Sequence, residues 1–353
     1  MNSTQAHTFS THLLTWYQTH GRHDLPWQHN PTPYRVWISE IMLQQTQVAT
    51  VIPYYLRFMQ SFPTLKSLSL AKEDDVLSHW SGLGYYARAR NIVKTAKIIA
   101  EKYRGRFPKT VEEICNLPGI GQSTAGAIFS FSQRKRAVIL DGNVKRVLAR
   151  YFAISQPINQ KNTLDEMWLL AEKLTPEKNA HHYNQAIMDL GATVCTRSKP
   201  QCSACPFRKN CEALNAGTPT QFPIKSGKKT RPTKHVVLYI IRNMQNEIAL
   251  IKRPTKGIWG GLWSFPEYWD QESEIRNQYK FQNRILQPIG QLPQIKHQFT
   301  HFTLMITPVL CKPTKKITSN ELFWYKLDTR LPGGIAAPVA NILKQLNAEA
   351  AIP

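Results

Sequence analysis

Apolar residues fall at helical spacing through roughly the first 210 positions and in short strand-like runs after the 230s, so two kinds of structure follow one another along the chain. Residues 9–20 read as a short amphipathic helix. Residues 24–37, DLPWQHNPTPYRVW, form a proline-punctuated connection into a longer helix, in which Ile41, Val48, Ile52, Tyr55 and Met59 recur on one stripe. Pro53 interrupts that stripe. Because proline disfavours helical geometry in the residue before it, a break or a fresh first turn is expected there. The turn Gly82-Leu83-Gly84 leads into a basic helix, and further helices are expected at 111–116, 122–132, 143–152, 162–174 and 181–193. Residues 213–234 are rich in Pro, Gly, Thr and Lys with little apolar periodicity, as in a linker. Strands follow at 235–242, 247–253, 302–310 and 322–327, and a helix closes the chain at 338–346. The pattern predicts a multidomain protein: an all-α part over 1–212, a linker over 213–234 and an α+β part over 235–353.

Charge narrows the class of partner. The 353 residues include 45 Lys plus Arg against 23 Asp plus Glu, a net charge of +22. Such an excess points to a polyanion, either nucleic acid or an anionic membrane. No apolar run approaches the roughly 18 residues that a span needs, and the polar stretch at positions 1–10 lacks the apolar core of a secretory signal. A cytoplasmic nucleic-acid-binding protein is the expectation.

Candidate chemistry sits at three places. Cys195, Cys202, Cys205 and Cys211 follow the spacing C-x6-C-x2-C-x5-C, while Cys115 and Cys311 stand apart and read as small buried hydrophobes. Four thiolates in one loop complete either a zinc site or a [4Fe-4S] cluster, and their number alone does not choose between them. Zinc knuckles pair across a longer gap, so this nearly continuous run favours the cluster. Leu117-Pro118-Gly119-Ile120-Gly121 is a glycine turn between two helices, a place where backbone N–H groups hold phosphate without reading sequence, and Asp141 follows it. Glu40 shares a polar face with Gln44 and Gln47 but is flanked by Trp37, Ile38, Ile41 and Met42. Such a face is ordinarily solvated surface; in an apolar setting, however, a carboxyl keeps its proton and serves as a general acid. Tyr85 and Tyr86, next to Arg88, Arg90, Lys94 and Lys97, suit base stacking and phosphate contact, or else a turn with core tyrosines.

Together, WISEIMLQQTQVATVIPYY, GLGYYARARN, LPGIGQSTAGAI, ILDGNVKRV, MDLGATVCTRSKP with the cysteine loop, GIWGGLWSFPE and HQFTHF resemble, in this order, the helix-hairpin-helix DNA glycosylases, and among them the adenine DNA glycosylases of the MutY family. The resemblance covers almost the whole chain. It implies an all-α helix-hairpin-helix glycosylase domain with a [4Fe-4S] cluster on Cys195, Cys202, Cys205 and Cys211, joined to an α+β Nudix-like lesion-recognition domain. The region after Pro266 offers only Glu267, Glu272 and Glu274, in an arrangement unlike a magnesium-binding Nudix helix, so recognition and not hydrolysis is expected of it.

By the same resemblance, Glu40 would protonate adenine, Asp141 would stabilise the oxocarbenium ion and Asn143 would orient that carboxylate and the attacking water. Leu25, Trp27 and Gln185 match the adenine pocket. Gln45 and Tyr85 match residues that wedge into the duplex, and Thr46 and Leu83 would contact the lesion strand. Gly119 and Gly121 would hold a phosphate. Phe299, Thr300 and His301 match the loop that inspects 8-oxoguanine, with Thr300 where serine is common. Ser123 stands where bifunctional relatives carry a Schiff-base lysine, which implies a monofunctional enzyme. The implied partner is double-stranded DNA holding an adenine opposite 8-oxoguanine or guanine. The implied protein is a nucleoid-associated monomer, independent of membranes, that meets other repair or replication proteins. The competing readings are an endonuclease III-like glycosylase for oxidised pyrimidines and a non-catalytic iron–sulfur DNA-binding protein.

Overall fold

A computed structural model describes residues 2–225, 227, 230–270, 280–281, 284–313, 317, 322–327 and 329–350. The helices, in order, are α1 (Ser3–His20), α2 (Pro33–Leu43), α3 (Val48–Ser61), α4 (Leu65–Ser69), α5 (Glu73–His79), α6 (Ala87–Lys102), α7 (Val111–Cys115), α8 (Gln122–Gln133), α9 (Gly142–Tyr151), α10 (Lys161–Leu174), α11 (Ala180–Asp189) and α12 (Glu212–Asn215). Strands β1 (Thr233–Ile241), β2 (Ile248–Lys252), β3 (Trp263–Ser264), β4 (Glu267–Asp270), β5 (Lys280–Phe281), β6 (Arg284–Gln291), β7 (Ile295–Gln298), β8 (Thr303–Pro313) and β9 (Leu322–Tyr325) follow, before α13 (Ala337–Ala350). The chain divides into two compact units, one of Met1–Leu70 with Asn91–Lys228 and one of Ala71–Arg90 with Lys229–Pro353.

The first unit is helical among its described residues. Thr32 caps α2 by accepting from the Arg35 amide, with Pro33 fixing the first turn. Val36, Trp37, Ile38, Ile41 and Met42 are then buried on that helix, together with the polar Ser39, and Glu40 lies among them. The expected break at Pro53 lies elsewhere. The chain turns at residues 44–47, and Pro53 sits inside α3. The bond Pro53 cannot make would have gone to the carbonyl of exposed Ala49, and the buried Val51, Tyr55 and Phe58 offset its cost, which is about 3 kcal/mol for an interior proline. One core of this unit gathers Phe9 and Leu13 from α1, Val144 and Leu148 from α9, Met167 from α10 and Ile187 from α11.

Between α7 and α8, Gly119 has φ +78, and a Cβ there would stand 2.8 Å from Asn91, so both handedness and space demand glycine. Gly121 caps α8 with no side-chain hydrogen bond. The single helix expected at 181–193 is α11 followed by a π-helical turn, Leu190–Val194. Such turns widen a helix locally and accompany functional sites.

In the second unit β1 and β8 run parallel, and the larger sheet has the order β4-β1-β8-β6-β5 with β7 also on β8; β3-β2-β9 form a smaller antiparallel sheet. Its core includes Tyr239, Ile241, Val309 and buried Cys311, whereas Cys115 in the first unit is only half-buried. The strand β6 escapes the sequence pattern because Pro288 and Gly290 read as breakers; the sheet takes them in as a register shift between those two residues. The segment 71–90 belongs here, with the Tyr86 hydroxyl donating to the Ile335 carbonyl at 2.9 Å and Lys252 pairing with Asp74 at 2.6 Å. Glu267 lies half-buried on β4 in an ion pair with buried Arg253 and accepts from the Trp269 indole. Glu272 and Glu274 lie outside the described residues. Among the described residues no helix is long and apolar enough to cross a membrane.

Candidate active site

In the first unit a cavity of ≈ 190 Å³ is lined by Tyr17, Trp27, Gln28, Glu40, His181 and Gln185, among others. Glu40 keeps some accessible surface through this cavity, yet protein surrounds its carboxyl closely enough to push the pKa up to about 8, with the Asp141 charge adding to the rise. Leu25 is buried and outside the lining. Arg134, His181 and His182, which also line the cavity, were not legible from composition or spacing.

Asp141 is held by its place in the fold. It is the N-cap of α9: its Oδ1 accepts from the Asn143 and Val144 amides at 2.9 and 2.8 Å, and its Oδ2 accepts from the Asn143 side chain at 2.9 Å. Burial raises its pKa, and the Val144 and Asn143 donors together with the Arg146 charge limit that rise. Burial thus raises both carboxyls, and negative charge on Asp141 adds to the rise at Glu40. Ser123 supports this stretch by accepting from the Leu140 amide at 3.0 Å.

Arg146 ties the pair to the cysteine loop. It donates to Asn143 Oδ1 at 2.8 Å, to the Gly191 carbonyl at 2.6 Å and to the Cys195 carbonyl at 2.7 Å. Gly191, on the π-helical turn, lies so close to Asn143 that a Cβ would come within 2.6 Å of the asparagine Cβ. One turn along α9, buried Arg150 donates to Cys195 Sγ at 3.3 Å and to the carbonyls of Thr196, Arg197 and Phe222. Cys195, Cys202, Cys205 and Cys211 all line one small cavity beside Arg150. Burial pushes the Cys205 thiol up to about 12, and the other three sulfurs add to the rise. Among the described residues no three potential ligands converge tightly enough to grip a single ion. Four thiols lining one cavity are a donor set that zinc and iron–sulfur clusters both take.

In the second unit a cavity of ≈ 590 Å³ is lined by Leu83, Tyr85, Trp259, His297, Phe299 and Thr300, among others. Tyr85 is exposed and has φ +49, an uncommon conformation for a bulky residue, and its hydroxyl meets Thr300 Oγ1 at 3.3 Å. Phe299 stacks on Phe302 with centroids 4.5 Å apart and meets His297 edge-on at 4.7 Å. Leu83 is buried, and exposed His301 lies outside the lining. Gln45, exposed and also left-handed with φ +58, and Thr46 occupy the turn between α2 and α3 and line neither cavity.

Helices joined by a glycine hairpin, with a raised-pKa glutamate and a capped aspartate, define the class: residues 38–173 match the HhH-GPD superfamily base excision DNA repair proteins, and residues 236–345 match the NUDIX domain. A thermostable thymine-DNA glycosylase is similar over 60% of this chain and 98% of its own, with a TM-score of 0.56 and 29% identity. An endonuclease III trapped on DNA as a covalent intermediate shares the fold, with a TM-score of 0.53 and 20% identity over 62% of this chain and 99% of that chain. The adenine DNA glycosylase of Buchnera aphidicola subsp. Baizongia pistaciae is 42% identical over 95% of both chains, and that of Homo sapiens is 33% identical over 84% of this chain and 65% of its own. The protein belongs to the adenine DNA glycosylase family.

Proposed function

We propose that the protein hydrolyses the N-glycosidic bond of adenine mispaired with 8-oxoguanine or guanine in duplex DNA, without cutting the strand. The observation that carries this reading is Glu40, holding its proton to about 8 on the wall of a base-sized cavity, with Asp141 near enough to reinforce it. Breaking the bond requires a better leaving group and support for positive charge on the sugar. A protonated acid and a carboxylate divide this work, as in glycoside hydrolysis. Glu40 would give its proton to the adenine ring, and Asp141 would face the developing oxocarbenium ion. Asn143, bonded to Asp141 Oδ2, would orient the carboxylate and the water.

Adenine must leave the stack to reach Glu40, at a cost of a few kcal/mol that a mispair lowers. Gln45 and Tyr85, each on a left-handed backbone that projects an exposed side chain, would fill the vacated space, with Thr46 and Leu83 toward the lesion strand. Gly119 and Gly121 would hold a phosphate at the open end of α8. Trp27 and Gln185, which line the cavity, would enclose the adenine, and Phe299, Thr300 and His301 would inspect the opposing base. Ser123 supplies no amine and is engaged with Leu140, which supports a glycosylase without lyase activity. Cys195, Cys202, Cys205 and Cys211 would hold a [4Fe-4S] cluster whose chemistry here is structural, fixing the loop with Lys199, Arg208 and Lys209 toward phosphate; iron and labile-sulfide analysis checks this. We place catalysis in 1–212, a linker in 213–234 and lesion recognition in 235–353, in a nucleoid-associated cytoplasmic monomer open to repair or replication partners. Base release should be rapid from adenine opposite 8-oxoguanine, slower opposite guanine and undetectable opposite thymine, with nicking only after alkali; direct nicking of DNA with oxidised pyrimidines and untouched adenine mispairs would sink the proposal.

A further inference from the structure

Asp189 ends α11 with a fully buried carboxylate. Its Oδ1 accepts from Arg22 Nε at 2.9 Å and Arg22 Nη2 at 2.6 Å, and its Oδ2 accepts from the Arg22 backbone amide at 2.7 Å. One more donor reaches it, Gln185 Nε2 at 2.8 Å, one turn earlier on the helix. A carboxylate paired with arginine can only accept hydrogen bonds, so the side of the Gln185 amide facing it must be the NH2 group. The carbonyl oxygen is thereby turned the other way. Gln185 lines the ≈ 190 Å³ cavity that also holds Glu40. By contrast Gln28, on the same wall, has both ends of its amide engaged, its carbonyl by the Leu25 amide and its NH2 group by the Arg22 carbonyl.

We infer that Asp189, locked by Arg22, is a positioning residue that sets the base specificity of the pocket by fixing Gln185 as a hydrogen-bond acceptor. An acceptor there pairs with the exocyclic amine of adenine and opposes the 6-oxo group of hypoxanthine or guanine. A freely turning glutamine would accommodate both. A site built to bond one polar group rejects the analogue that lacks it, because a buried partner is then left unpaired. This inference rests on the proposed adenine release and adds the group that chooses the base.

The experiment compares single-turnover base release from duplexes carrying deoxyadenosine or deoxyinosine opposite 8-oxoguanine. The unsubstituted protein should strongly prefer adenine. In Asp189→Asn, whose amide offers donors as well as an acceptor, the Gln185 amide is free to turn, and the adenine-to-hypoxanthine rate ratio should fall by about tenfold or more. The ratio is taken within one preparation, so partial loss of folded protein cancels. Gln185→Met, which leaves the Arg22–Asp189 pair intact, should lower the ratio by a similar factor, and Asp189→Asn added to it should lower the ratio no further. Equal slowing on both bases in Asp189→Asn would make Asp189 a purely structural residue and overturn the inference. Retained preference in Gln185→Met would overturn it even with Asp189→Asn too unstable to assay. No adenine release by the unsubstituted protein would instead overturn the functional reading beneath it.

Discussion

Glu40 carries the clearest consequence at the scale of single residues. Its folded pKa of about 8 lies well above the 4.5 of an ordinary glutamate. The folded state therefore binds more protons than the unfolded chain between those values, and the stability Glu40 contributes is lost progressively as pH rises through that window. Glu40→Gln, neutral throughout, should flatten this fall, giving a melting temperature that depends less on pH between about 5 and 8 than that of the unsubstituted protein. The same substitution should lower adenine release by about 10²- to 10⁴-fold while leaving DNA affinity within a few-fold; retained turnover would point to a protein that merely binds DNA. In the unsubstituted protein kcat/KM should decline as pH climbs past about 8, because the acid form is the working one. Glu40 was legible in the sequence as a carboxyl among apolar neighbours. Asp189 was not, because nothing in MDLGATVC says that its partner is Arg22, 167 positions earlier.

Helices and their junctions carry the next consequences. The N-terminus of α9 delivers Asp141, and its body delivers Arg146 and Arg150 to the cysteine loop, so one helix orders both the Asp141 carboxylate and the four-cysteine loop. Gly191 on the π-helical turn presses against Asn143. Gly191→Ala should push Asn143 away from Asp141, costing about 1–3 kcal/mol of stability by overpacking and slowing base release more than it weakens binding, as read by single-turnover rates beside DNA titrations. The helix existed in the sequence pattern; its π turn did not, since the extra backbone bond from the Cys195 amide to the Leu190 carbonyl at 2.7 Å has no apolar periodicity of its own. Pro53 misled for the related reason that a proline is read locally, whereas its helix is held by the tertiary burial of Val51, Tyr55 and Phe58. Long strands such as β1 and β8 were visible as apolar runs. The short β3, β5 and β7, of two to four residues, are defined by their partners rather than by their own side chains.

At the scale of the whole molecule, the net charge of +22 has a measurable signature. Association with DNA should weaken steeply with salt as counterions are released, by about tenfold or more between roughly 50 and 200 mM. Isothermal titration or anisotropy at several salt concentrations reads the slope; a flat response would contradict a phosphate-tracking surface. Domain content, the order of the motifs and the four-cysteine loop were all legible before the fold. The assignment of 71–90 to the second unit was not, because it rests on bonds such as Tyr86 to Ile335 and Arg90 to the Gly260 carbonyl, which join residues far apart in the chain.

Asp141 both starts a helix and lies near enough to Glu40 for its charge to raise that pKa, and the residue after it is Gly142, where an added Cβ would meet nothing within 4 Å. Asn caps helices as well as Asp does, so Asp141→Asn should fold normally and lack base release when fresh. It also creates an Asn-Gly pair, the dipeptide in which the following amide nitrogen most readily closes on the side chain to a succinimide that water reopens, in part, to aspartate. Such a sample would age toward the original enzyme, gaining activity in storage in step with the deamidated fraction seen by intact mass. A catalytic dead end at this position is therefore a matter of time as well as of structure.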